Sequence, residues 1–99
     1  MEQEKDIVKK EEIGTSYVIS TIKMYSIFPG RNYETMIFKK TNGKINYSDI
    51  YRKRYETREE AEAGHEKSKV WLEEYRELEI QDLRNKVKDI KDMVENENI

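Results

Sequence analysis

The chain has 99 residues, 40% of them charged and 35% apolar, with a net charge of −2 and no cysteine. That length suits one domain and leaves no room for a second independent core. The absence of cysteine excludes a disulfide framework, a thiolate metal centre and a cysteine nucleophile. Ten aromatic residues set against this polar composition predict a packed middle with soluble ends.

Residues 1–12 open with Met1-Glu2-Gln3-Glu4-Lys5-Asp6, which lacks the apolar stretch of a signal peptide, and no apolar run approaches the ~18 residues of a membrane span. The expectation is a cytoplasmic protein without a membrane partner, whose residues 1–13 form a flexible arm. The small net charge conceals a division along the chain. Residues 13–55 hold eight Lys/Arg against two Asp/Glu, and residues 56–99 hold eight against fourteen. Either the two segments attract each other and pack, or the basic middle presents a face to an anion.

Tyr17 to Phe28 is rich in β-branched and aromatic residues and predicts a first strand. Val18, Ile22, Met24 and Phe28 form its more apolar face. Pro29-Gly30-Arg31-Asn32 is a turn signal, followed by a second strand from Tyr33 to Lys40 with Met36 and Phe38 on one side. Asn42-Gly43 then suits a tight hairpin, because both central residues of that turn need positive φ. A third strand, Ile45 to Tyr55, places Ile45, Tyr47, Tyr51 and Tyr55 on one side and Ile50, Arg52 and Arg54 on the other.

Thr57-Arg58-Glu59-Glu60 has the form of a capping box and marks a helix start. Ala61, Gly64, His65, Ser68, Leu72 and Tyr75 then recur at spacings of three and four, a stripe expected to face the sheet. Gly64 costs about 1 kcal/mol of helix propensity relative to Ala, which predicts a close approach of helix and strand there. Beyond Leu78 the apolar phase changes to the heptad spacing of Ile80, Leu83, Val87, Ile90 and Val94. The fold class predicted is α+β: a three-stranded antiparallel β-meander followed by a long C-terminal helix or two helices. The β-β-β-α domain would occupy residues 14–79, with a helical extension over 80–99 that serves as an oligomer or partner contact or packs on its own domain.

The chemistry-bearing motifs are few. There is one His, and no HExxH, P-loop or GxGxxG pattern. No metal and no cofactor is expected, and no catalytic residue is assigned. His65 is either a helix residue hydrogen-bonded at the sheet junction or an acid–base group. Glu34 and Asp49 interrupt strands and are either ion-paired or functional acids. The positive signal is the interleaving of Arg31, Tyr33, Tyr47, Tyr51, Arg52 and Arg54, since flat rings stack on bases while Arg neutralises phosphate. Strand tyrosines also serve simply as sheet packers.

Ser20-Thr21-Ile22, Tyr33-Glu34-Thr35-Met36-Ile37-Phe38 and Arg54-Tyr55-Glu56-Thr57-Arg58-Glu59-Glu60-Ala61-Glu62-Ala63-Gly64-His65 together resemble a family of small uncharacterised proteins encoded by tailed phages and prophages. Its members share an aromatic-Glu-Thr-Met-aliphatic-Phe strand and an Arg-Tyr-x-Thr-x-x-Glu-Ala-x-x-Gly-His helix start. The resemblance covers residues 18–70. It departs at Pro29-Gly30, where relatives carry Gly-rich segments, and in the longer helix here. A phage setting implies a non-enzymatic protein of the host cytoplasm that inhibits a host defence system, by occluding a defence protein or by sequestering an anionic nucleotide signal. A nucleic-acid-associated regulator and a small enzyme acting on a nucleotide are the alternatives.

Overall fold

The structure, a computed structural model, describes residues 6–25 and 32–97. Four strands precede one helix: β1 (Ile7–Ile13), β2 (Tyr17–Lys23), β3 (Tyr33–Thr41), β4 (Lys44–Tyr55) and α1 (Arg58–Glu97). The strands form one antiparallel sheet in the order β1-β2-β3-β4. The fold is therefore α+β as expected, with four strands rather than three and one continuous helix. The additional strand comes from the segment assigned to a flexible arm. In β1, Lys9, Lys10, Glu11 and Glu12 resemble a solvated run, but an edge strand needs only one apolar side and is protected from further pairing by such charges. β2 consequently lies inside the sheet, between β1 and β3.

The turns follow the residues. Gly14 takes φ +59 at the β1–β2 connection, and Asn42 and Gly43 take φ 53 and +77 between β3 and β4. Two central residues at positive φ match the right-handed twist of paired strands, so Thr41 faces Lys44 across a two-residue loop. The turn expected at Pro29-Gly30-Arg31-Asn32, and the strand end expected at Phe28, involve residues outside the described set.

Pairing registers assign the two faces of the sheet. Thr21 opposes Thr35, Ile19 opposes Ile37, and Ile37 in turn opposes Tyr51. With Glu11, which opposes Ile19, these residues share one face. The start of α1 covers it: Ala61, Gly64, His65 and Ser68 are buried, as are Ile19, Thr21, Thr35, Ile37 and Tyr55. The covered side of β2 is thus the one with Ile19 and Thr21. The expected apolar side, Val18 and Ile22, lies on the opposite face with Met36 and Phe38. Helix burial selects for side chains that fit beneath a backbone, and Thr21 and Thr35 are compact, Thr21 bonding to His65 and Thr35 to Thr21.

β4 does not alternate throughout. Ile37 opposes Tyr51 while Lys39 opposes Asn46, so Tyr47 to Ile50 all stand against Phe38. This bulge turns Tyr47 onto the Phe38 face, with the rings 5.5 Å apart at 66°. Tyr51 and Tyr55 remain on the helix-covered face. The common side expected for Tyr47, Tyr51 and Tyr55 fails because a strict period of two does not survive a bulge.

The chain divides into two compact units, residues 1–69 and 70–99. In the second, Leu72 is buried, Tyr75 is half-buried and stacks on Trp71 with centroids 5.1 Å apart, and from Leu78 onward the apolar residues are exposed. No helix among the described residues is long and apolar enough to cross a membrane.

Candidate functional site

Three places gather chemistry. The first lies beneath the start of α1. Thr57 caps that helix: its hydroxyl accepts from the Glu60 amide at 3.1 Å and donates to the Glu60 carboxylate at 3.2 Å. Two turns on, Gly64 lies against the Tyr55 ring, and a Cβ at this position would overlap Tyr55. That approach brings His65 into the sheet with no solvent exposure.

The imidazole bridges two kinds of group. His65 Nε2 is 2.9 Å from Glu11 Oε1, and His65 Nδ1 is 2.6 Å from Thr21 Oγ1. A carboxylate only accepts, so Nε2 carries the donated proton, and in the neutral ring Nδ1 accepts from the Thr21 hydroxyl. Thr21 then accepts from Thr35 at 2.6 Å. Ser68 donates to the His65 carbonyl at 2.6 Å. The result is a directed relay in which each buried hydroxyl and ring nitrogen has a partner, worth about 1 kcal/mol per bond and costing more when one partner is removed.

Around the outer end of this relay, two lysines bridge two glutamates. Lys9 lies 3.2 Å from Glu11 and 3.1 Å from Glu66, while Lys69 lies 3.3 Å from Glu11 and 3.5 Å from Glu66. Burial resists ionisation of Glu11, but hydrogen bonds from Lys9, His65 and Lys69 outweigh it and hold the carboxyl at about 2. Hydrogen bonding to Lys9 likewise lowers Glu66, against burial, and Lys9 is raised by its bonds to Glu66 and Glu11. Glu11, His65 and Glu66 offer three metal-type donors within 4.8 Å of one another. A divalent ion there would have to displace two ammonium groups that already balance both carboxylates. Hydroxyl, imidazole and carboxylate in line also resemble a nucleophilic triad. Thr21 and Thr35 are fully buried, however, which leaves no approach for a substrate.

The second place is the face of the sheet turned away from the start of α1, hereafter the open face. Glu34 is buried between guanidiniums, 2.8 Å from Arg54 and 3.9 Å from Arg52, and Arg52 also meets Asp49 at 2.9 Å. Beside them is an open concavity of about 380 Å³ whose walls include Lys10, Lys23, Ile22, Met36, Phe38 and Tyr47.

The residues expected to form a nucleotide surface are therefore divided. Tyr47, Arg52 and Arg54 lie on the open face, and the two arginines are engaged by Glu34 and Asp49. Tyr51 lies on the helix-covered face, where burial first and Tyr55 second raise its phenol above the ordinary value. Tyr33 opposes Tyr55 and is half-buried. His65 is enclosed, and Arg31 lies outside the described residues. Glu11, Lys9 and Lys69 escaped the reading of the sequence. The available signal was the aliphatic bracket of Ile7, Val8 and Ile13 around a four-residue charged run.

The third place is α1 beyond residue 77. Leu78, Ile80, Leu83, Val87, Ile90, Met93 and Val94 are between 48% and 70% exposed. Scattered apolar side chains on a surface need no explanation, but a continuous row at heptad spacing does.

No family model, curated protein or solved structure matches the chain.

Proposed function

We propose that this chain is a non-catalytic binding protein that engages a macromolecular partner through the exposed aliphatic row Ile80, Leu83, Val87, Ile90 and Val94 of α1. The observation carrying this reading is the contrast in exposure. The polar groups able to do chemistry, Thr21, Thr35 and His65, are sealed, whereas aliphatic side chains stand in water along more than two heptads. Burying such a row against a partner recovers about 25 cal/mol per Å² of apolar surface. In the phage setting that the Glu-Thr-Met strand and Gly64-His65 helix start imply, the partner is a host defence protein that binding occludes.

The test compares the wild-type chain with Leu83→Glu and Ile90→Glu in host extract, using proximity cross-linking followed by mass spectrometry. Because both positions are exposed, these variants should unfold within about 0.5 kcal/mol of wild type. Loss of the cross-linked partner in both variants is expected. Retention of the same partner in both would remove the row from the function.

A second reading, sequestration of an anionic nucleotide signal, draws on the concavity of the open face, where exposed Tyr47 offers ring surface and Lys10 and Lys23 outnumber Asp6 in charge. It predicts a rise in melting temperature with cyclic dinucleotides or cyclic trinucleotides that is lost in Lys10→Glu/Lys23→Glu. An unchanged melting temperature across those ligands counts against it.

A further inference from the structure

We infer that the occupant of the exposed row is a single amphipathic helix whose flanking positions carry Glu or Asp, and neither a second copy of this chain nor a lipid surface. This inference rests on the docking role proposed for α1 and specifies the chemistry of the partner. Ile80, Val87 and Val94 repeat every seven residues, and Leu83 and Ile90 fall between them, the two-position seam of a coiled coil. With that register fixed, the positions bordering the seam are Glu79, Arg84, Lys86, Lys91 and Met93, so every bordering charge beyond Ile80 is a cation. Positions facing away hold Asp82, Asp89, Asp92 and Glu95 against Lys88 alone. The helix thus segregates charge by side. Lys86 meets Asp82 across one turn at 3.1 Å, which balances it from the outer side and leaves the seam border without an acid between 84 and 91.

Self-pairing fails on the same positions. In a parallel dimer Glu79 meets Arg84 of the second copy favourably, but Lys86 meets Lys91 in both symmetry-related places. In the antiparallel register that layers Leu83 on Val87, Arg84 meets Arg84 and Lys86 meets Lys86. The register that layers Val87 on Ile90 sets Arg84 against Lys91. Like charges at these sites are the usual device by which coiled coils reject a wrong partner.

A membrane surface fits no better. Helices that lie in the lipid interface carry Lys and Arg over their polar face and often Trp or Phe on the apolar one. Here the polar face is acidic, and the apolar side is aliphatic and narrow. A partner helix with Leu or Ile in its seam and Glu at its borders would satisfy both the row and its three bordering cations.

The experiment uses the full chain and two labelled synthetic helical peptides of about three heptads, identical in an Ile/Leu seam but carrying Glu or Lys at every bordering position. Binding is read by fluorescence anisotropy. The expected result is a preference of about tenfold or more for the Glu peptide, since several bordering pairs each contribute a few tenths of a kcal/mol. That preference should collapse in 1 M salt and invert in the Arg84→Glu/Lys86→Glu/Lys91→Glu variant. Equal affinity for both peptides would overturn the acidic partner. So would a dimer of the chain abolished by Leu83→Glu in analytical ultracentrifugation, or co-sedimentation with phosphatidylserine vesicles that needs the same residue. Those three outcomes leave the docking role of α1 standing. Binding of neither peptide, or binding unaltered by Leu83→Glu, overturns the docking role itself.

Discussion

The first three turns of α1 and its last five invert the usual rule of burial in opposite ways. From Ala61 to Ser68 the buried side chains are small or polar, and His65, Ser68 and the threonines across from them are satisfied one by one. From Leu78 to Val94 the aliphatic residues stand in water. A helix seated by directional hydrogen bonds is held in one register, because a shift by one residue orphans several buried groups at once. A helix bearing a plain aliphatic row has its register chosen by whatever covers it. The first region is tied to the sheet by named bonds, and the second, in the docking role proposed for it, would take its register from a partner.

The sharpest way to break this contrast is at His65. His65→Ala removes a fully buried ring, takes away the acceptor of the Thr21 hydroxyl while leaving its bond to Thr35, and should cost about 3 kcal/mol in urea denaturation. A loss below about 1 kcal/mol would mean that the relay does not seat the helix. Gly64→Ala follows. In an exposed helix this change gains up to about 1 kcal/mol, but overlap with the Tyr55 ring should reverse the sign to a loss of about 1–3 kcal/mol. A double-mutant cycle with Tyr55→Leu should recover most of it, and additivity would show that the two residues do not collide.

The ion-pair ring gives a smaller effect. Glu11 titrates at about 2 in the folded chain, against an ordinary 4.5. Its contribution is complete above about 4.5 and is lost as pH falls toward 2, because the unfolded chain takes up the proton first. With the screening that a solvent-facing cluster suffers, the loss should be about 1 kcal/mol. Glu11→Gln should flatten that acid limb, measured as the difference in stability between pH 6 and pH 3. The smallest effect is expected at Tyr55. Its hydroxyl is the buried side-chain polar atom without a hydrogen-bond partner among the described residues. Tyr55→Phe should therefore leave the midpoint unchanged or raise it by up to about 1 kcal/mol; a clear drop would reveal a partner for that hydroxyl.

Local chemistry made much of this readable in advance. Asn42-Gly43 names its own turn, Thr57 and Glu60 name the helix start, and the stripe Ala61, Gly64, His65, Ser68 and Leu72 is the buried one. What escaped was non-local. Glu11 and His65 are 54 residues apart, and nothing in Lys9-Lys10-Glu11-Glu12 distinguishes an edge strand from a solvated run until its partner β2 is known. The bulge opposite Phe38 belongs to the same class. It arises where two strands of unequal length must share one register, so residues 47–50 alone do not announce it. The cationic and aromatic residues of β4 are accordingly contiguous in sequence but divided between two faces.

The outer strands bear on how such a molecule stays dispersed. A protein that holds a row of aliphatic side chains in water is at greater risk of aggregation if it also offers an open sheet edge. Both edges here are poor templates. β1 carries four consecutive charged residues, Lys9-Lys10-Glu11-Glu12, along its outer edge, and β4 is thrown out of regular pairing at Tyr47 to Ile50. Charge along β1 and the bulge in β4 thereby discourage strand-to-strand polymerisation at both ends of the sheet.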